Sequence, residues 1–416
     1  MVRRPNALQY VVGELSGQAS LLRTTINANG SASAGQSPIP PALSRTNDMH
    51  ILIVTKTNDR SETHCWKQFV ARGHRVTVAG LPEAPERAAL EEAGVTFAPI
   101  RIRHRLDLAA VIALRRLIRG DMPDIIYAPR NGSLSVALMA TRQCPVVGYR
   151  GTIGHLSHWD PAAWLTYFHP RLAHIISVSE AVRTYLLKMK IRADRATTIY
   201  KGHDIHWYDA APTVGRAQLG IPEDVFCVGF TGTVRPVKGI NVLIDAIAML
   251  PDTIHACIVG EVRQPELLER VDALGLKHRM HFIGHRTDAV HLVKNTDICV
   301  MPSLEREGLP RAVIEAMAQA RPVVVTDVGG LPELVQDGRC GYVVPPSDAT
   351  ALADRINALA SSPADVKRFG AAAREHIHTN FNVEDTITQM LALFERFRMK
   401  RWQTQGVPSP SSSTSA

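Results

Sequence analysis

No apolar run in this 416-residue chain reaches the roughly 18 residues needed to cross a bilayer. The basic Arg3 and Arg4 are not followed by an apolar block and a small-residue cleavage site, so the start does not read as a secretory leader. Cysteine is sparse: Cys65, Cys144, Cys227, Cys257, Cys299 and Cys340 lie far apart, with no Cys-x-x-Cys pair. Several sit inside apolar runs such as Phe226-Cys227-Val228, which predicts reduced, buried thiols rather than a disulfide framework or a zinc site. Neither Gly-x-Gly-x-x-Gly nor Gly-Lys-Ser/Thr occurs, so dinucleotide and P-loop binding are not indicated. Aromatics make up only 6% of the chain and do not interleave with its arginines, which argues against nucleic acid as a partner. These absences predict a cytoplasmic protein.

Positive charge, by contrast, is in surplus. The formal charge is +8 and the pI about 9.3, a balance that favours anionic partners without choosing among them. The densest stretch is Arg101-Ile102-Arg103-His104-Arg105, followed by a helical pattern over 108–119 that carries Arg115, Arg116 and Arg119. A solvated helix face accounts for it; so does a patch for an anionic membrane surface or an acidic acceptor.

At 45% hydrophobic content the chain can bury two cores of ordinary size. Residues 1–48 differ in composition from the rest, and 49 onward begins as a first parallel strand would; Met49 is a candidate true start. Strand-like runs fall near 50–55, 75–79, 95–100, 125–128, 146–149, 174–178 and 197–200. A second series falls at 226–231, 255–259, 280–283, 298–301, 322–326 and 341–344. Apolar strands alternating with helical patterns mean right-handed βαβ units and parallel sheets. The expected division is an extension over 1–48, a first doubly wound domain over 49–208 and a second over 209–380. A helix over 381–402 would pack back on the first domain, ahead of a disordered Ser/Pro-rich tail over 403–416. Ligands of such domains bind where strands end and helices begin.

Two segments of the second series carry chemistry. The first strand runs into Gly232-Thr233-Val234-Arg235-Pro236-Val237-Lys238-Gly239 before a helix from about Ile240. A glycine turn, two cations and a helix N-terminus can together hold a diphosphate. The second segment, Pro302 to Met317, places Glu307 and Glu315 eight positions apart across a strand-to-helix turn. The helix is expected from Leu309, with Pro310 in its first turn. Glu315 lies about 130° from the centre of that helix's apolar stripe, where a carboxylate is either solvated or turned into a cleft.

Taken together, Gly232-Thr233…Arg235…Lys238-Gly239, Val259-Gly260-Glu261, Pro302-Ser303…Glu307-Gly308-Leu309…Glu315-Ala316-Met317, Thr326-Asp327-Val328-Gly329-Gly330…Glu333 and Asp337-Gly338 resemble the retaining glycosyltransferases of family 4. Order and spacing match across the whole second domain. Gly73-His74-Arg75-Val76 and Val178-Ser179-Glu180 are similar to that family's first domain. The resemblance implies the GT-B fold: α/β, two doubly wound Rossmann-like domains facing a central cleft. It implies a nucleotide-diphosphate sugar as donor, a cell-envelope glycan or glycolipid as acceptor, transfer with retention, and no metal or other cofactor. Residue by residue, it assigns Arg235 and Lys238 to the diphosphate and Glu315 to the ribose hydroxyls. Glu307, Gly308 and Leu309 would face the transferred sugar or its phosphate, and Gly232 and Gly260 would line the donor site. Contact with the inner face of an anionic membrane would be peripheral. A nucleotide-sugar epimerase or synthase of the same fold, or a degenerate binding module, are the other readings.

The chain departs from the family pattern at four places. Lys56-Thr57-Asn58-Asp59-Arg60-Ser61-Glu62 stands where a Gly-Gly loop is usual. Tyr149-Arg150-Gly151-Thr152 stands where many members carry a histidine, leaving Arg150 and the nearby His155 as candidates for the acceptor side or the donor phosphate; a plain salt bridge is the other role for Arg150. Lys201-Gly202-His203-Asp204 replaces an Asn-Gly-Val-Asp type junction, and Ala320 replaces a glycine before the Pro-Val strand, a change a helix end is expected to tolerate.

Overall fold

The computed structural model describes residues 48–405. The expectations for the extension up to residue 47 and for the tail after residue 405 lie outside the described residues. Thirteen strands form where the apolar runs place them. The first sheet contains β1 (His50–Val54), β2 (Arg75–Gly80), β3 (Thr96–Pro99), β4 (Ile125–Ala128), β5 (Val146–Arg150), β6 (Leu172–Ser177) and β7 (Ala196–Thr198), ordered β3-β2-β1-β4-β5-β6-β7. The second contains β8 (Phe226–Thr231), β9 (Ile254–Val259), β10 (Met280–Gly284), β11 (Ile298–Met301), β12 (Val323–Thr326) and β13 (Gly341–Val344), ordered β10-β9-β8-β11-β12-β13. All pairings are parallel; Ile51 aligns with Val76 on one side and Ile125 on the other, and Val228 with Ala256 and Ile298. Helices cover both faces of each sheet, so the central strands are buried along their whole length and carry continuous rather than alternating apolar residues. All six cysteines are buried as reduced thiols.

Each sheet reverses its direction of growth beside its first strand. The reversal lies between β1 and β4 in the first sheet and between β8 and β11 in the second. The loops leaving the carboxyl ends of those strands therefore border a crevice. In the second domain these loops are residues 232–239 and 302–310, the two chemistry-bearing segments of the sequence.

The chain crosses between the domains twice, side by side. On the first crossing, the Gly202 N–H donates to Thr386 Oγ1 at 2.8 Å, and the His203 N–H donates to the Phe381 carbonyl at 2.8 Å on the second. A Cβ on Gly202 would lie 2.0 Å from the Asn382 carbonyl oxygen, so only glycine fits there. The returning helix, Val383–Gln405, buries Ile387, Met390, Leu393 and Phe394 in the first domain's core. The Phe394 ring sits 6.2 Å from Phe69 and 5.9 Å from Tyr127.

Two local expectations change. The helix after β11 spans Arg311–Ala318, and Pro310 precedes it with extended backbone (φ −71°, ψ 121°) rather than sitting in its first turn. Ala320 is not a neutral substitution. It adopts φ 57° and closes the helix with Ala320 N–H to the Met317 carbonyl and Arg321 N–H to the Ala316 carbonyl, both at 3.0 Å. That geometry is the left-handed helix end that glycine adopts freely and that a Cβ opposes by about 1–2 kcal/mol. Ala320→Gly is therefore expected to stabilise the chain by about 0.5–1 kcal/mol once glycine's larger unfolded-state entropy is subtracted. Urea unfolding with an unchanged m-value would show it, and a lower midpoint would refute it.

Candidate active site

At the second domain's crevice, the loop after β8 and the loop after β11 are bound to each other. Leu304 N–H donates to the Val237 carbonyl at 2.8 Å, and a Cβ on Gly239 would lie 1.9 Å from the Pro302 carbonyl oxygen. This contact brings Lys238 against Glu307: Nζ lies 2.6 Å from Oε1, and Ser303 Oγ donates to the same oxygen at 2.7 Å. Both charged side chains are mostly buried, so each depends on the other, and removing one would leave an uncompensated charge. Arg235, by contrast, is exposed, and its side chain has no hydrogen-bond or ion-pair partner among the described residues. Gly232 and Gly260 meet backbone to backbone, where a Cβ on Gly260 would come within 2.0 Å of the Gly232 oxygen.

Glu315, one turn into the helix Arg311–Ala318, points inward rather than to solvent. Its carboxylate has no partner among the described residues, and burial pushes its pKa above the ordinary carboxylate range, against the pull of Arg311. Asp59 of the first domain adds to the upward push. The Asp59 carboxylate lies 3.9 Å from the Arg311 guanidinium, so the loop after β1 reaches the helix Arg311–Ala318 across the cleft.

That loop accounts for two of the departures from the family pattern together. Lys201, at the interdomain junction, bonds to Asp59 and lies 3.0 Å from Glu62. Arg130 holds the other Glu62 oxygen at 2.9 Å. Asp59 and Glu62 also cap the helix Arg60–Ala71 reciprocally. Burial works to raise the Asp59 carboxyl, but Lys201 and the Glu62 N–H outweigh it and hold the pKa below its usual value. Lys201 shows the mirror effect: burial disfavours its charge, yet Glu62 and Asp59 raise its pKa. A glycine loop would leave this helix N-terminus open to a phosphate; here the protein's own carboxylates occupy it.

Arg150 is held by its own following turn rather than by a salt bridge. It is 5% exposed, its guanidinium donates to the carbonyls of Thr152 (2.9 Å) and Gly154, and it stacks 5.0 Å over Tyr167, with no carboxylate bonded to it. It shapes the turn that carries His155, whose Nε2 accepts from Arg306 at 3.2 Å across the cleft. Gly308 and Leu309 lie buried in the same wall, and a Cβ on Gly308 would sit 1.9 Å from the Gly151 carbonyl oxygen of the first domain.

Sequence reasoning assigned no role to Glu333. Its carboxylate accepts from the Glu180 and Ala181 N–H groups at 2.8 and 2.7 Å and from Tyr200 Oη at 2.9 Å, closing the cleft from the far side. A negative charge there also suits the N-terminus of the helix Glu180–Lys188. Among the described residues, no group of three His, Cys, Asp or Glu side chains converges so as to hold a metal ion.

Comparison with known proteins agrees with this architecture. The family model for glycosyl transferases group 1 matches residues 214–376, and that for glycosyltransferase family 4 matches residues 64–207. The chain is 27% identical over 290 residues to a phosphatidyl-myo-inositol mannosyltransferase of Mycobacterium leprae, covering 68% of this chain and 75% of that one. It is 31% identical over 217 residues to a D-inositol 3-phosphate glycosyltransferase of Corynebacterium glutamicum, of which it spans about half (51%; 48% of this chain). Among solved structures, HepE of Anabaena in complex with UDP and glucose superposes with a TM-score of 0.72 at 25% identity, over 84% of this chain and 100% of that one. Sucrose-phosphate synthase of Thermosynechococcus elongatus, with a TM-score of 0.69 at 22% identity over 85% and 100% of the two chains, shares the fold. With both sheets, both crevices and both family patterns in place, the chain belongs to the family 4 glycosyltransferases, enzymes of the GT-B fold.

Proposed function

We propose that the protein moves a sugar from a nucleoside-diphosphate donor to a cell-envelope glycan or lipid-linked acceptor, with retention at the anomeric carbon and without a metal. The observation that carries this is the convergence, at the second sheet's switch point, of an unpartnered Arg235, the Lys238–Glu307 pair and the unpartnered carboxylate of Glu315. The relative HepE is solved with UDP and with UDP-glucose, which supports a donor of that class.

In this reading Arg235 and Lys238 carry the departing diphosphate. A cation about 4 Å from a phosphate oxygen is worth up to roughly 4 kcal/mol at an effective dielectric near 20. Lys238 has three N–H donors and spends one on Glu307, so it can bridge that carboxylate and a phosphate. Glu315 accepts from the ribose hydroxyls. Glu307 orients the transferred sugar, with the Gly308 and Leu309 N–H groups beside it at the start of the helix. His155 and Arg306 form the outer lip next to that end of the site. The leaving phosphate takes the acceptor proton as the new glycosidic bond forms on the same face, so no enzyme nucleophile is needed.

The basic segment of the first domain supports peripheral contact with an anionic membrane. No helix among the described residues is long and apolar enough to cross one. Around the helix Leu108–Gly120, however, Leu106 (53%), Leu108 (69%) and Ile112 (50%) are exposed, and Arg115, Arg119 and Arg142 line a neighbouring cavity of about 720 Å³. Apolar side chains ringed by arginines suit the boundary between headgroups and acyl chains.

Several outcomes test the reading. Thermal shift against a panel of nucleoside diphosphates should single out one base that raises the midpoint, since a ligand that binds only the folded chain stabilises by mass action. Proton NMR of the product should show the donor's anomeric configuration; an inverted product would overturn retention. Lys238→Ala is expected to lower kcat by about 100-fold or more by removing charge stabilisation of the leaving group. Glu315→Gln should weaken nucleoside diphosphate binding about tenfold, with opposite consequences for the ligand-free chain. Because the buried carboxyl has a raised pKa, the folded chain holds a proton that the unfolded chain has released, and stability falls as pH rises through that window. Removing the charge should therefore raise the ligand-free melting temperature at neutral pH, and an unchanged pH profile of melting would count against it. Cosedimentation with phosphatidylglycerol vesicles should be lost in a Leu108→Ser, Ile112→Ser double variant.

A further inference from the structure

We propose that the crevice at the first sheet's switch point is an anion subsite that holds a phosphate group carried by the acceptor. The proposal rests on the glycosyl-transfer reading for the word acceptor, but the anion site can be tested without any transfer.

A cavity of about 380 Å³ opens between the loops that leave the carboxyl ends of β1, β3 and β4, large enough for a phosphate together with the polyol or sugar that bears it. Lys56, Arg103, His104, Arg105 and Arg130 line it. The acidic side chains nearby are already engaged. Glu62 is bonded to Lys201 and Arg130, Asp107 accepts from the Arg103 and Ala110 N–H groups, and Glu83 is paired with Arg101. The side chains of Lys56, Arg103, His104 and Arg105 have no carboxylate partner among the described residues. Arg130 is fixed in place by Glu62 rather than neutralised by a carboxylate inside the cavity.

The floor of the cavity is the start of the ten-residue helix Asn131–Ala140. Its N-cap is Arg130, which supplies no side-chain acceptor, and its first internal bond runs from the Leu134 N–H to the Arg130 carbonyl. The N–H groups of Asn131, Gly132 and Ser133 are thus left over at the positive end of the helix dipole. The two neighbouring helices at this crevice differ: Arg60–Ala71 is capped by Asp59 and Glu62, and Leu108–Gly120 by Asp107.

Ser133 supplies a second, independent pointer. It lines the cavity, is only 1% exposed, and its Oγ is buried without a hydrogen-bond partner. A buried hydroxyl is rarely left unmatched. An anion seated on the helix N-terminus would accept from that hydroxyl and from the backbone N–H groups at once, while the arginines close over it with charge-assisted bonds. Phosphate fits this donor set: tetrahedral, strongly accepting, and matched to guanidinium forks.

The test uses the full chain in an Arg235→Ala background, so that the donor-side loop does not contribute. Calorimetric titration with inorganic phosphate and with glycerol 3-phosphate at constant ionic strength should show saturable binding. Arg103→Gln with Arg105→Gln should weaken it by about tenfold or more, and Ser133→Ala should weaken it several-fold. In chains that keep Arg235, those with and without the Arg103, Arg105 and Ser133 substitutions should bind nucleoside diphosphate equally well, which shows that the variants fold and separates this site from the donor cleft. A flat titration, or equal phosphate binding in chains with and without the substitutions, would overturn the site even if nucleoside diphosphate binds.

Vesicles of phosphatidylglycerol in phosphatidylcholine distinguish the source of the phosphate. If the substitutions abolish vesicle binding and glycerol 3-phosphate competes for it, the phosphate belongs to a lipid headgroup. If only the soluble phosphates respond to the substitutions, the acceptor is a water-soluble phosphoester.

Discussion

A parallel strand reaches its neighbour only through a crossover, and where successive crossovers switch direction the flanking helices part and leave a gap at the strands' carboxyl ends. This constraint acts twice in the chain, beside β1 and beside β8, and it sets the place of everything chemical. The gap beside β8 is lined by Arg235, Lys238 and Glu307; the gap beside β1 by Lys56 and Arg130. Because two adjacent chain crossings hold the sheets with these edges facing, the two gaps open onto a single cleft.

Charge is distributed between the two sides by one buried ammonium. Lys201 sits where the chain leaves the first domain, and it draws Asp59 and Glu62 onto the start of the first helix. Burying a lysine is costly unless it is paired and hydrogen-bonded, and this one has two carboxylates. The consequence reaches beyond the pair. With Glu62 held on one side, Arg130 is anchored at the mouth of the neighbouring crevice, and with Asp59 held on the other, a carboxylate faces Arg311 and Glu315 across the cleft. The first loop has thereby lost the character of an anion site, and that character is found one strand further along, at the bare N-terminus of the helix Asn131–Ala140.

Much of this is legible in the residues. Strands covered on both faces must be apolar throughout, so the central strands stand out as runs such as Ile51-Leu52-Ile53-Val54 and Val323-Val324-Val325. That Arg235, Lys238, Glu307 and Glu315 share one crevice was legible because turn glycines and helix starts mark their segments. What escaped depends on directions that only tertiary contacts decide. Proline has the same φ just before a helix as in its first turn, so Pro310 could be placed one position too far in. Glu315 lay at a wheel angle that serves solvent or cleft equally. Arg150 faces the carbonyls of its own following turn, which spacing does not reveal. The Lys201–Asp59–Glu62 cluster was within reach: an acidic loop and a basic junction are both departures from the family pattern, and their opposite charge was the signal that they belong together.

The returning helix sets the order in which the chain can mature. Ile387 and Phe394 are fully buried in the core of the first domain, yet they follow the whole second domain in sequence. Strands β1 to β7 can emerge, pair and collapse, but their core stays open along one face until the second domain has been made and the final helix has followed it out. The first domain is then a late-closing unit despite being early in sequence, and its closing contacts span more than three hundred residues, as between Phe69 and Phe394. A nascent chain of this protein therefore carries an exposed apolar face until the second domain has been made, and a truncation before Ile387 would leave the first domain, not the second, with an open core.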